Sequence, residues 1–249
     1  MRTFRNGARF ALGLRTGRFP SEAIFRDGFV LKHPPGLSGL AETIIEVLYE
    51  RVYTPDWFYT PSSRDVILDF GANVGVFATA EARRNPSARV IAIEAHPQIF
   101  QQLSLNVASF AGNIQVHHAA VQGVEGSVQL RKPTSRSLDI QIDRFASGDS
   151  VTVPAIDFSR ALTFVGDGDV ALLKCDIEGA EADVFEAVEP AALSRIRSIA
   201  LEYHDNIRPG TSARLWATLS QTHRLLQLSD NGGCGIMLWK RLDQVGTAR

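Results

Sequence analysis

Cysteine is nearly absent from this chain of 249 residues, which has only Cys175 and Cys234. Two cysteines exclude a disulfide scaffold and any all-cysteine zinc site. No uninterrupted apolar run approaches the roughly 20 residues needed to span a bilayer. Neither sign of charge is in excess: 26 Lys and Arg stand against 27 Asp and Glu, a formal net charge of −1. That balance leaves no global basic footprint, so nucleic acid is not an expected partner. What the chain does have is apolar mass. Hydrophobic residues make up 45% and charged residues 21%, enough for a substantial core and too much for intrinsic disorder. The length predicts one large domain, or one domain with an appendage. The composition predicts a soluble protein of a reducing compartment, taken as cytoplasmic, and leaves homo-oligomerisation open.

One segment departs from this average. Before Glu22 the chain carries Arg2, Arg5, Arg9, Arg15 and Arg18 and no acid, with Phe4, Phe10, Leu12, Leu14 and Phe19 between them. The apolar stretch is too short and too flanked by arginine for a secretory signal. An amphipathic anchor fits the composition, but the plainer reading is a surface helix packed on the domain.

From Arg64 onward, short β-branched runs alternate with helical patterns. Strands are expected at Asp65–Phe70, Arg89–Glu94, Ile114–Val121, Val170–Asp176 and Ser198–His204. Helices are expected at Val76–Arg84, Pro97–Phe110, Ala180–Val188 and Thr211–Leu219. Continuous apolar strands separated by helices predict a parallel sheet covered on both faces. Arg224–Leu228 and Gly235–Trp239 are joined too tightly for a crossover and must form an antiparallel hairpin. The expected fold is α/β: a doubly wound, seven-stranded mixed sheet with that C-terminal hairpin. Gly126–Lys132 and Val151–Ala155 read as strands around a polar insertion, Pro133–Ser150, with the composition of a site-covering loop. Residues 1–63 read as an appended cap on a domain of residues 64–249. Within it, a hairpin is expected around Asp27-Gly28 and a helix over Leu40–Val52.

The chemistry gathers in Asp69-Phe-Gly71-Ala72-Asn73-Val-Gly75, at the end of one strand and the start of a helix. Such a turn brings main-chain N–H groups and a helix N-terminus towards a ligand. The next strand ends at Glu94, placed to accept hydrogen bonds from both ribose hydroxyls of an adenosine cofactor. A nicotinamide fingerprint fails because Asn73 stands at its middle glycine, and a P-loop fails because no Gly-Lys-Ser/Thr ends the turn. An acid two residues before the first glycine suits S-adenosylmethionine, with Asp69 near the amino group. In the competing account, Asp69 caps the turn, and Gly71 and Gly75 only permit close helix–strand packing.

These residues carry a resemblance. LDFGANVG, VIAIEAHPQIFQQLSLN, LLKCDIEGAE and IALEYH, in that order between about Val66 and His204, are similar to the FkbM family of S-adenosylmethionine-dependent methyltransferases. DIEGAE is the most specific element. The chain departs from the family at Glu94-Ala95-His96-Pro97, where Glu-Pro is usual, and at Ile156-Asp157-Phe158, where a second carboxylate is usual. The resemblance implies a class I methyltransferase fold and O-methyl transfer to a hydroxyl of a sugar, glycan or natural product. It also implies a cofactor site of Asp69, Gly71, Ala72, Asn73, Gly75, Glu94, Ala120 and Asp176. Asp176 and Glu178, with Glu202 and His204, would face the transferred methyl.

For chemistry, His204 is the expected base, because an alcohol must lose its proton and imidazole titrates near neutrality. Glu202, two residues back on the same strand face, would orient it, with Asp176 placing the acceptor; a surface-loop histidine is the competing account of His204. Asp176, Glu178, Glu202 and His204 as ligands of a divalent metal is the alternative, not favoured because Mg²⁺ seldom takes imidazole. A non-catalytic S-adenosylmethionine-fold binding protein and an N-methyltransferase are the rival functions.

Overall fold

The computed structural model describes residues 3–35, 37–131 and 150–244. Its centre is a seven-stranded sheet built from the runs of β-branched and aliphatic residues. The strands are β3 (Val66–Phe70), β4 (Arg89–Glu94), β5 (Ile114–His118), β9 (Leu172–Cys175), β10 (Ser198–His204), β11 (His223–Leu228) and β12 (Cys234–Arg241). Their spatial order is β11-β12-β10-β9-β3-β4-β5. The strands from β10 to β5 run parallel, and β12 is antiparallel to both β10 and β11. The doubly wound mixed sheet with its closing hairpin is as the sequence predicts. Strand order reverses between β3 and β9, which puts a crevice at the carboxyl ends of those two strands.

Two apolar layers cover the sheet, and the two-residue period decides which side chain joins which. Leu68, Ile91, Ile93, Leu173, Cys175, Ile199 and Leu201 pack against α5 (Phe158–Thr163), α6 (Glu181–Glu186), α7 (Pro190–Leu193) and α8 (Thr211–Leu219). Ile67, Val90, Ala92, Leu172 and Ala200 face the other way, onto α3 (Val76–Arg84) and α4 (Pro97–Asn106). Phe4, Phe10, Leu31, Ile44, Tyr53 and Phe58 belong to that same second cluster, so the apolar packing runs across residue 63. By the same parity, Asp69, Lys174, Glu202 and His204 lie on the face that the first 63 residues help to cover.

The N-terminal segment holds α1 (Gly7–Thr16), a hairpin of β1 (Glu22–Ile24) and β2 (Val30–Lys32), and α2 (Leu40–Ile44). The helix expected over Leu40–Val52 starts as α-helix, continues as a π-helical stretch over Ile45–Glu50, and stops at Arg51, whose φ is 52°. α1 buries Phe10 while Leu12 and Leu14 stay exposed.

The strand expected over Ile114–Val121 is broken in two. After His118 the chain leaves the main sheet, and β6 (Ala120–Val121) pairs with β8 (Ser150–Ile156), which is itself antiparallel to β7 (Gly126–Arg131). The apolar residues Ala119, Ala120 and Val121 follow His118 without a turn signal and are all buried, so the sequence does not mark the break. The expected insertion lies outside the described residues except for Ser150, which opens β8. Among the described residues, no helix is long and apolar enough to cross a membrane.

Candidate active site

The turn after β3 is held from within. The N–H groups of Gly71 and Ala72 both donate to the Ile93 carbonyl at 3.0 Å, and that of Gly75 donates to Ala72 O. Asn73 N donates to Glu94 Oε2 at 2.9 Å, and Val74 N to the Asn73 side chain. The N–H groups expected to meet a ligand are therefore used inside the protein. Gly71 has φ +72°, and a Cβ there would stand 1.8 Å from the Asp176 carbonyl oxygen. Gly71 is thus required by the contact between two strand ends. Gly75, at φ +89°, would drive a Cβ to 2.7 Å from a Leu103 methyl, so it permits helix packing.

A cleft of about 690 Å³, counting the open solvent at its mouth, lies beside this turn, with Gly71, Asn73, Glu94, Ala120, Asp176 and Glu178 in its lining. Five of the residues expected at the cofactor line it: Gly71, Asn73, Glu94, Ala120 and Asp176. Asp69, Ala72 and Gly75 do not. Glu94 is 8% exposed and accepts His96 N on Oε1 at 2.7 Å as well as Asn73 N on Oε2. Burial pushes its carboxyl up from the usual range, against the pull of these two donors.

Asp69 is wholly buried, with Lys174 Nζ 3.4 Å from its Oδ1. Lys174 also donates to Gly71 O at 2.7 Å and lies 3.6 Å from Asp176 Oδ2. Burial lowers the lysine, but Asp69 and Asp176 outweigh it and hold the ammonium charged. Asp69 therefore acts on the turn through Lys174.

Beyond Asp176 the polar groups crowd together. Glu178 takes a left-handed backbone conformation, φ 54°, in the turn before α6. His204 is 4% exposed. Its Nδ1 lies 2.9 Å from Glu181 Oε1, and its Nε2 lies 3.5 Å from Glu178 Oε2. The orienting carboxylate expected at Glu202 is in fact Glu181, which is fully buried and also accepts Gly179 N at 3.0 Å. Glu202 is engaged elsewhere. It accepts Tyr53 Oη on Oε2 at 3.0 Å and the Cys234 thiol on Oε1 at 2.8 Å. The Tyr53 hydroxyl also lies 3.3 Å from Asp176 Oδ2. Burial pulls the His204 imidazole down, but Glu181, Glu178 and Asp176 outweigh it and push it up to about 9. Burial and the Asp176 charge push Glu178 up to about 9, and burial with the charge of Glu202 raises Glu46 to about 7.

The structure thus gathers Asp176, Glu178, Glu202 and His204 as expected, and adds Tyr53, Lys174 and Glu181. Tyr53 carried no signal in the sequence, since its partners lie 123 and 149 positions away. Glu181 did carry one, as the last letter of DIEGAE, although a first-turn carboxylate facing the helix dipole is the simpler expectation. His118 binds the Ala95 carbonyl, and His117 stacks on Phe164.

Comparison with known proteins identifies the family. Residues 69–233 match the family model described as the Methyltransferase FkbM domain. The chain is 27% identical over 207 residues to the AMB antimetabolite synthetase AmbE of Pseudomonas aeruginosa, a match covering 68% of this chain and 10% of that protein. It is 26% identical over 194 residues to the 31-O-demethyl-FK506 methyltransferase FkbM of Streptomyces tacrolimicus, covering 64% of this chain and 75% of the relative. Among solved structures it resembles the Methyltransferase FkbM of Methylobacillus flagellatus KT, with TM-score 0.53 at 16% identity. That match covers 78% of this chain and 47% of the other and bears on fold alone.

Proposed function

The chain belongs to the FkbM methyltransferase family, and from that premise we propose that it transfers a methyl group from S-adenosylmethionine to a hydroxyl of a sugar, glycan or natural product. The observation that carries this reading is the buried Glu94 carboxylate on the cleft that Asp176 and Glu178 also line. Each Glu94 oxygen already accepts one backbone N–H and keeps a further lone pair for a ribose hydroxyl. Ala120 and Ile99 offer apolar contact for an adenine ring, and the internally bonded turn is rigid before anything binds. Asp69, Ala72 and Gly75 shape that turn without touching the cavity.

When bound, the cofactor supplies an activated methyl on a positively charged sulfur. The protein's own part is then to align an acceptor oxygen with it and to exclude water. Asp176 lines the cavity, with Tyr53, Glu202 and His204 gathered behind it. Because carboxylate neighbours hold the His204 imidazole charged up to about pH 9, the expected histidine base gives way to the Asp176 carboxylate as the group that receives the hydroxyl's proton. A hydroxyl acceptor is supported by the Streptomyces relative, which is named as a 31-O-demethyl-FK506 methyltransferase.

The test is incubation of the full-length protein with methyl-labelled S-adenosylmethionine and a pool of glycans and hydroxylated metabolites, read by mass spectrometry. Label on oxygen is expected. Label on nitrogen would overturn the hydroxyl acceptor, and binding without transfer to any member of the pool would favour a non-catalytic role.

A further inference from the structure

We propose that Asp176, Glu178 and His204 form a binding site for a divalent first-row metal cation. One donor atom from each residue lies within 4.8 Å of the others, a spread that a single ion contracts when it draws ligands to about 2.0–2.2 Å. Two carboxylates and one imidazole on one side of an open cavity leave coordination positions for water or an acceptor oxygen, as open metal sites do.

The carboxylates alone would be an ordinary acidic patch. The imidazole changes that. His204 is 4% exposed, and its Nε2 points at the carboxylate pair, with Glu178 as its ion-pair partner. The nearest carboxylate recorded for it, Glu178 Oε2, is 3.5 Å away, beyond the roughly 2.7–3.2 Å of a formed hydrogen bond. The Nε2 of this buried residue therefore faces Glu178 at ion-pair range and an Asp176 oxygen within 4.8 Å, and an ion entering among them takes the place of its proton. The other ring nitrogen, Nδ1, is fixed at 2.9 Å by the fully buried Glu181. A carboxylate behind the ring that fixes its tautomer and frees the far nitrogen is the support that metal-binding histidines ordinarily have.

The donor set selects the ion. Mg²⁺ and Ca²⁺ favour all-oxygen shells, whereas a mixed nitrogen–oxygen set suits Mn²⁺ or Zn²⁺. The four-ligand alternative considered from the sequence becomes a three-ligand site, because Glu202 is occupied by Tyr53 and Cys234. The role of the ion, though not its binding, rests on the methyl-transfer reading: it would receive the acceptor oxygen and lower that hydroxyl's pKa.

The experiment is Mn²⁺ binding to the EDTA-treated full-length protein with no S-adenosylmethionine present, read by electron paramagnetic resonance of the free ion. One saturable ion per chain is expected. The side chains of Asp176 and Glu178 are each 25% exposed, so Asp176→Asn and Glu178→Gln are the decisive variants, and each should weaken binding at least tenfold. Glu181→Gln, which leaves all three ligands in place, should weaken it about 10–100-fold. Cys234→Ser should leave it unchanged. Zn²⁺ should displace Mn²⁺, and a large excess of Mg²⁺ should not. No saturable uptake, uptake indifferent to Asp176→Asn or to Glu178→Gln, loss only in Cys234→Ser, or displacement by Mg²⁺ as readily as by Zn²⁺ would each overturn the site. Calorimetry of S-adenosylmethionine binding separates the two proposals: uptake of Mn²⁺ without cofactor binding sinks the methyl-transfer reading and keeps this one, and the converse result does the opposite.

Discussion

Glu94 and Gly71 carry two predictions that belong to single residues. Glu94 sits on the cavity with a carboxylate already desolvated, so a ribose hydroxyl bound there gains a charge-assisted hydrogen bond in a dry setting. Glu94→Ala should weaken S-adenosylmethionine binding by about 1.5–3 kcal/mol, and calorimetry on a variant with an unchanged melting curve checks it. Gly71→Ala adds a methyl 1.8 Å from the Asp176 carbonyl at a φ of +72°. The left-handed backbone alone costs about 1–3 kcal/mol, and the overlap adds to it, so urea denaturation should show a loss at or above that range. Both residues are legible in the sequence because their chemistry sits within one strand–turn–helix–strand unit. Tyr53 is not, because its meeting with Asp176 and Glu202 exists only once the N-terminal segment lies on the sheet.

At the level of elements, β10 shows what alternation can and cannot deliver. Parity places Glu202 and His204 on one face, as expected, but the partner of each comes from elsewhere: α6 brings Glu181, and β12 brings Cys234. The break between β5 and β6 escapes sequence reading for a related reason. Ala119 and Ala120 keep the apolar pattern, while pairing with β8, set by distant residues, decides which sheet they join. The end of α8 and the start of β11 offer a pH test. His223 is 1% exposed, its Nε2 is 2.8 Å from the Ile196 carbonyl, and burial lowers its pKa. The folded chain therefore holds this ring neutral while the unfolded chain takes a proton below about pH 6.5. Its contribution to stability is present above that value and is lost as pH falls towards the lowered folded pKa. His223→Gln should shrink the difference between urea midpoints at pH 7.5 and pH 5.5 relative to the unaltered protein. An identical pH dependence in both would remove His223 as a contributor.

Taken as a whole, the molecule has a central seven-stranded sheet with two apolar layers, and the first 63 residues complete one of them. The fold class was legible because continuous apolar strands and helix spacing recur from Arg64 to Trp239. The N-terminal segment was legible only as short elements, since nothing in its composition says which surface it covers. Phe4, Phe10, Leu31, Ile44 and Phe58 are each 5% exposed or less and pack with Ile67, Val90 and Leu172. We expect calorimetry of the full chain to show one cooperative transition. A chain beginning at residue 64 should expose a large apolar face, bind a hydrophobic dye and aggregate. A stable, monomeric, dye-silent fragment would show that the first segment is dispensable to the core.

The Tyr53 hydroxyl, set between Asp176 and Glu202, makes the cavity's wall at Asp176 a joint product of distant parts of the chain. The part lined by Gly71, Asn73 and Glu94 is assembled from neighbours in sequence. Behind Asp176 the structure borrows a side chain from a segment whose other residues cover apolar surface, a duty many sequences satisfy. A substitution at residue 53 therefore reaches the cavity through Asp176, whereas one at residue 73 or 94 reaches it directly.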